Sequence, residues 1–422
     1  MAKGTIASGI LWTLFRGILF LVVFLITLNA AFTLVVSPVY DFPESTSFKG
    51  EQWFNPYEGL DSTKWKRSNF QVQSKAWGGV TNGMNNSNER VFELYESLGY
   101  DIITISDYMK INRYTTDKHP LIPVYEHGYG IRKTHQVCVG AKDVLYFDYP
   151  LFQTKNTKQF ILNRLKEESE LVAIAHPALR GAYTHSDLAT LTGYECIEVL
   201  NALQHSVSHW DAALTAGHPV YIMANDDAHD LDNQYQYGRC FTALNMEEIT
   251  EDNVVEALSS GKSYGLLAWS PDADGHEYKK TRFKDIPALQ SVQIQDQTLT
   301  VRTDRPFSEV RFIGNQGAIL ATIMGDSATH QASYELQETD PYVRAEIVID
   351  PGHVIYTNPV MRSENGMKPT VAVAKINWPA TILYRAFFFV LVAAGAGALF
   401  FRDKRVFKRV AASSDGKDLQ PS

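Results

Sequence analysis

From Phe70 onward, short β-branched runs alternate with segments of helical length, and this alternation constrains the fold more than any other feature. The runs are Tyr100–Ser106, Leu121–Tyr125, Gln136–Gly140, Leu171–Ala175, Cys196–Leu200, Val220–Ala224 and Cys240–Leu244. Helix-like stretches, Asn88–Leu98, Thr157–Glu170, Ser208–Ala216 and Thr250–Ser260, lie between several of them. Strands separated by helices predict a parallel α/β sheet or barrel, here over 68–286. After about Pro287 the texture changes to strict alternation broken by turns, as in Val292-Gln293-Ile294 and Val343-Arg344-Ala345-Glu346-Ile347. That pattern predicts a small antiparallel β-domain over 287–365 with one buried face. No internal repeat or low-complexity linker interrupts the pattern.

At 422 residues, 45% apolar and 20% charged, the chain is long enough for more than one domain and too apolar to be intrinsically disordered. Its formal charge of −8 argues against a general nucleic-acid-binding surface. Three cysteines, Cys138, Cys196 and Cys240, make no disulfide framework, and their spacing matches no cysteine zinc cluster.

Apolar residues are concentrated at the ends. Gly17 to Val36 is twenty positions without a charge, long enough to span a bilayer core. A cleaved signal peptide is the rival reading, with small residues at Asn29-Ala30-Ala31, but the apolar run continues past them. A second run, Ala386 to Phe401, follows Trp378, Tyr384 and Arg385 and precedes Arg402–Arg409, a segment with five basic residues and one acid. Two transmembrane helices, 17–37 and 378–401, are therefore expected, with 38–67 and 366–377 as linkers. The basic tail 402–422 and the N-terminus 1–16, with Lys3 and Arg16, are expected on the cytoplasmic side. This places the body outside a bacterial inner membrane, with the bilayer and other membrane or envelope proteins as partners and no nucleic acid.

In a parallel barrel, functional groups gather past the carboxyl ends of the strands, where the loops converge on one face. Glu126 follows Leu121–Tyr125, His176 follows Val172–Ala175, and Asp226, Asp227 and His229 follow Val220–Ala224. Asp107 ends Ile102–Ser106, and His135 begins the strand through Val139. Carboxylates and imidazoles meeting at one rim are what a zinc, manganese or iron site requires. Each residue also has a plainer reading: His176 before proline as a structural residue, Asp226–Asp230 as a turn and helix cap, and Glu195 and Glu198 as solvated acids. His205, His209 and His218 lie on or beside a helix and read as surface or packing residues.

Four segments carry a family resemblance: Leu171-Val-Ala-Ile-Ala-His-Pro177, Glu195-Cys-Ile-Glu-Val-Leu-Asn201, Trp210-Asp-Ala-Ala-Leu-Thr-Ala-Gly217 and Asn225-Asp-Asp-Ala-His229. Over roughly residues 68–362 the chain resembles the polymerase-and-histidinol-phosphatase (PHP) superfamily, in its CehA/McbA-like metallohydrolase branch. The resemblance implies a distorted (β/α)7 barrel that holds up to three divalent metals and hydrolyses phosphoesters or related esters. It matches Glu126, His135 and His176 to the ligands of one metal, Asp227 to a ligand of its neighbour and His229 to a ligand of the third. The family's opening His-x-His falls on Gln71-Val72-Gln73, and its Thr-Asp-His falls on Ser106-Asp107-Tyr108.

A glutamine amide is neutral and a poor zinc donor, so Gln71 and Gln73 remove most of the first metal's coordination, and Tyr108 costs the third site a ligand. Two expectations follow. In one, the domain is a degenerate metallohydrolase with a binding or assembly role in a cell-envelope complex and no metal. In the other, Glu126, His135, His176 and Asp227 keep one zinc, manganese or iron ion. Asp227 then activates water and His229 meets the leaving group of an ester.

Overall fold

The computed structural model describes residues 3–394 except 82, 84, 270, 272–274 and 391–392. The chain divides into two units, one formed by its ends, Met1–Asp41 with Lys375–Ser422, and one comprising Phe42–Ala374.

In the first unit the helix Lys3–Val36 leads to Tyr40–Asp41, which pairs antiparallel with Lys375–Ile376. Asn377 then caps a helix over 378–390 by accepting from Ala380 N at 2.9 Å. Arg385 donates to Val36 O at 3.2 Å, satisfying one of the carbonyls that a helix C-terminus leaves without a partner. Among the described residues no helix is long and apolar enough to cross a membrane. This overturns the expected transmembrane helices 17–37 and 378–401, and with them the membrane-anchored, two-span arrangement and the inner-membrane location. Residues 391–392 and 395–401 of the second expected span lie outside the described residues. The basic segment 402–409 and the rest of the tail lie outside the described residues.

The second unit contains a five-stranded sheet in the order Val124–His127, Gln136–Ala141, Ser169–Ile174, Cys196–Asn201, Tyr221–Asn225. The first three strands are antiparallel to one another and the last three parallel. Val137, Val139, Leu171, Ile174, Ile197, Val199 and Ile222 are fully buried, as expected of strands covered on both faces. One cover is the helix Lys155–Glu168, whose N-cap Thr154 accepts from Thr157 N. Another is Val207–Thr215, which plants Trp210 in the core with its Nε1 donating to Val220 O at 3.0 Å.

A ten-stranded sheet runs Ile319–Met324, Glu309–Ile313, Tyr342–Ile349, His353–Thr357, Ser263–Leu267, Cys240–Asn245, Trp65–Asn69, Ile102–Ile103, with Val360–Ser363 and Gln52–Phe54 branching from Tyr342–Ile349. Only its last pair is parallel. The antiparallel strands after residue 287 thus continue the sheet that begins at Trp65, through His353–Thr357 beside Ser263–Leu267. Leu289–Gln295, Thr298–Thr303 and Gln331–Glu335 form a separate three-stranded sheet.

The described strands form several sheets and no closed barrel, which corrects the expected (β/α)7 barrel flanked by two membrane helices. Two seams explain why. Between Tyr221–Asn225 and Cys240–Asn245 a side chain replaces the ladder: Thr242 Oγ1 accepts from Ala224 N at 2.8 Å and donates to Ala224 O at 3.0 Å. Between Ile102–Ile103 and Val124–His127 the only pairing is an isolated bridge, Tyr108 to Glu126. Beside the first seam Asn225 Oδ1 accepts from Phe70 N at 2.8 Å and Asn69 Oδ1 from Asp226 N at 3.2 Å, so side chains again take backbone amides.

Candidate functional site

Glu126 sits on Val124–His127, His135 immediately precedes the neighbouring antiparallel strand Gln136–Ala141, and His176 lies two residues past Ser169–Ile174, so three elements deliver them to one point. Glu126 Oε1 lies 2.5 Å from His135 Nδ1 and 3.4 Å from His176 Nε2. One donor atom from each of the three falls within 4.8 Å of the others, and all three residues are buried. Asp227 borders them, with Oδ2 at 4.0 Å from His176 Nε2. His176 and Asp227 both hold left-handed backbone, φ 27° and 50°, which costs on the order of 1 kcal/mol or more each unless the surroundings impose it. His229 stands further out: its Nδ1 is 2.9 Å from Asp227 O, and its Nε2 is 3.3 Å from Tyr108 OH. The structure therefore gathers Glu126, His135, His176 and Asp227 and sets His229 at the edge.

The other half of the site is built from amides. Gln73 donates from Nε2 to Glu126 Oε2 at 2.7 Å and to Ser106 O at 2.8 Å. Gln71 donates to Asp227 Oδ1 at 3.1 Å, and Asn201 donates to Asp227 Oδ2 at 3.2 Å. The buried Oε1 atoms of both glutamines have no hydrogen-bond partner, and neither do His135 Nε2 and His176 Nδ1. Two imidazoles and a carboxylate are suitable donors for zinc, manganese or iron. Donors sharing such an ion at about 2.1 Å in a tetrahedron lie roughly 3.4 Å apart. Glu126 and His176 meet that spacing, whereas Glu126 and His135 stand at the distance of a direct hydrogen bond.

The electrostatics follow from burial and mutual charge. Burial alone would raise the Glu126 carboxyl, but His135 and His176 outweigh it and hold it well below the usual carboxylate range. Burial pushes the His135 imidazole down against the pull of Glu126. For His176 burial opposes protonation, yet the Glu126 hydrogen bond and the charges of Asp227 and Glu198 lift it to about 9. Burial raises Asp227 as well.

Glu198 is the residue that sequence reasoning missed. It is fully buried, accepts from His176 N at 2.9 Å and from the amides of Asn201 and Asn225 at 3.0 Å each, and is pushed up to about 8 by burial. The signal was its place inside Cys196–Asn201, an otherwise apolar run in which an acid must be buried and therefore partnered. The other acids have structural partners. Asp226 accepts from Tyr95 OH and from Gly238, Arg239 and Cys240 N, and Asp107 from Ser74 and Asn112. His209 and His218 bond to the backbone carbonyls of Tyr183 and Ala189, in keeping with packing roles.

The cluster opens on a cavity of about 410 Å3 lined by His135, His229, Tyr108, Lys133, Trp77 and Tyr129, among others. Lys133 Nζ stands 5.3 Å from the centroid of the Tyr108 ring. Ligands can reach the imidazole edge from this side while Glu126 and Asp227 stay behind it. Comparison with protein-family models, with curated proteins and with solved structures finds no match.

Proposed function

We propose that the chain is a degenerate PHP-like metallohydrolase, a domain that binds a ligand at this cavity without hydrolysing it. One observation carries the reading: the N–H groups of Gln73 and Gln71 point into the carboxylates of Glu126 and Asp227. Carboxylates that face a divalent ion must be satisfied by positive charge. Here neutral amide donors occupy Glu126 Oε2 and Asp227 Oδ1, and Gln73 spends its second N–H on Ser106 O, which fixes its orientation. Two or more metals clamping the attacking and leaving oxygens are thereby replaced by a hydrogen-bonded plug. The test is metal uptake. After incubation with excess Zn2+, Mn2+ or Fe2+ and desalting, elemental analysis should find less than about a tenth of an equivalent on the full chain. Close to one equivalent, lost on His176→Ala, would overturn the proposal.

A second reading has its own support in the 3.4 Å spacing of Glu126 Oε1 and His176 Nε2. In it Glu126, His135 and His176 hold one divalent ion, which supplies Lewis acidity toward an ester oxygen. Asp227 takes the proton of the attacking water, and His229, at the cavity edge, faces the leaving group. Turnover of p-nitrophenyl phosphate or p-nitrophenyl acetate that depends on added metal and disappears in Asp227→Asn would favour this reading over the first.

A further inference from the structure

A groove of about 670 Å3, within the range of small-molecule sites, lies between residues 51–65 and the strand Leu289–Gln295. It shares no lining residue with the cavity above, so the inference does not depend on the function proposed there. We propose that this groove binds a neutral oligosaccharide of β-linked pyranose rings.

Aromatic platforms come first. Trp53 is half-buried and held at two places: its Nε1 donates to Gln297 Oε1 at 3.3 Å, and the Arg362 guanidinium covers one ring face at 4.5 Å from the centroid. Trp53 lines the groove and Arg362 does not. Trp65 is fixed as firmly, donating from Nε1 to Leu289 O at 2.8 Å and meeting Tyr264 edge-on at 4.8 Å. Rings immobilised before a ligand arrives lose little entropy on binding. A β-linked pyranose presents flat C–H faces that suit such rings.

The polar lining has matching chemistry. Gln52, Gln290, Gln293 and Gln295 all line the groove, and a primary amide both donates and accepts, as a sugar hydroxyl does. Gln52, Gln293 and Gln295 are exposed. Among the described residues no lysine, arginine or histidine lines the groove, whereas Glu51 and Glu58 do, so a phosphate or uronate would meet repulsion from the lining itself.

A peptide strand fits less well. Leu289–Gln295 is the edge strand of its three-stranded sheet, but its carbonyls at Leu289 and Val292 already accept from Trp65 Nε1 and from Asn55 Nδ2, the latter at 2.9 Å. Adding a strand would require breaking those bonds. What the groove still offers is the indole surface of Trp53 and Trp65 and the amides.

The test is a tryptophan-fluorescence titration of the full chain with cellohexaose, xylohexaose and chitohexaose, with a heparin hexasaccharide as the anionic control. At least one neutral hexaose should give a saturable change, with the heparin fragment giving none. Trp53→Ala should weaken the response about tenfold or more, and the exposed pair Gln293→Ala with Gln295→Ala about threefold or more. The double variant guards against loss of packing at Trp53, because both of its positions lie at the surface. No saturable change with any of the three up to about 10 mM overturns the proposal, as does binding that survives both variants or equal binding of the heparin fragment.

Discussion

The two halves of the buried site satisfy their polar groups in opposite ways. In one half Glu126, His135 and His176 settle one another by charge, with the carboxylate held ionised and His176 held protonated across neutral pH. In the other half Gln71, Gln73 and Asn201 settle Glu126 and Asp227 with neutral N–H donors. The first half can still lend its donor atoms to a cation, whereas the second has no lone pair directed at one except the amide oxygens. The same buried acids are thus partnered in two chemistries, by imidazoles on one side and by amides on the other.

The sharpest way to break this comparison is to remove the group both halves share. Glu126→Ala strands two buried imidazoles and the Gln73 amide, so a loss of about 3–5 kcal/mol is expected from urea unfolding. A loss under about 1 kcal/mol would mean that the carboxylate is not the hub described here.

The next effect is pH dependence. Both His176 and Glu198 have folded-state pKa values above their ordinary ones, about 9 against 6.5 and about 8 against 4.5. A raised pKa gives stability that is whole below the unfolded value and lost as pH rises through the folded one. Glu198 accordingly sheds stability between pH 4.5 and about 8, and His176 between 6.5 and about 9. Glu126 is already ionised throughout and His135 already neutral, so neither opposes the slope above 6.5. Unfolding midpoints measured from pH 6.5 to 9 should fall by an amount worth on the order of a few kcal/mol. The decline should be shallower in His176→Gln. A flat or rising series would show that His176 is not charged in the folded chain.

How much of this was legible in the sequence depended on what each signal encodes. Apolar runs marked the strands well: Cys196–Leu200 was expected and Cys196–Asn201 is found, and Asn88–Leu98 was expected where the helix Asn88–Ser97 forms. A run of buried β-branched residues reads the same in parallel and antiparallel ladders, so the antiparallel hand of Val124–His127, Gln136–Ala141 and Ser169–Ile174 was invisible. Sheet closure was equally hidden, because it turns on where Thr242 Oγ1 points. The convergence of Glu126, His135 and His176 was legible as residue types at strand ends. The role of Glu198 was not, because its neighbours come from two other segments, at His176 and Asn225. Apolar runs at the termini read as membrane spans by composition alone, and the described helices do not bear that out.

The smallest effects separate the two glutamines from each other. Gln73→Leu strands two buried acceptors, Glu126 Oε2 and Ser106 O, and should cost about 2–3 kcal/mol in urea unfolding. Gln71→Leu removes one bond, at 3.1 Å, from an Asp227 that keeps Asn201 on its other oxygen, so about 1 kcal/mol is expected. The buried Oε1 that each substitution also deletes had no partner, which moderates both losses equally and leaves their order intact. If Gln71→Leu proved the costlier change, Asp227 rather than Glu126 would be the acid that depends on the amide half. The division of the site drawn above would then run along the other seam, between the strand bearing Asn201 and the loop bearing Gln73.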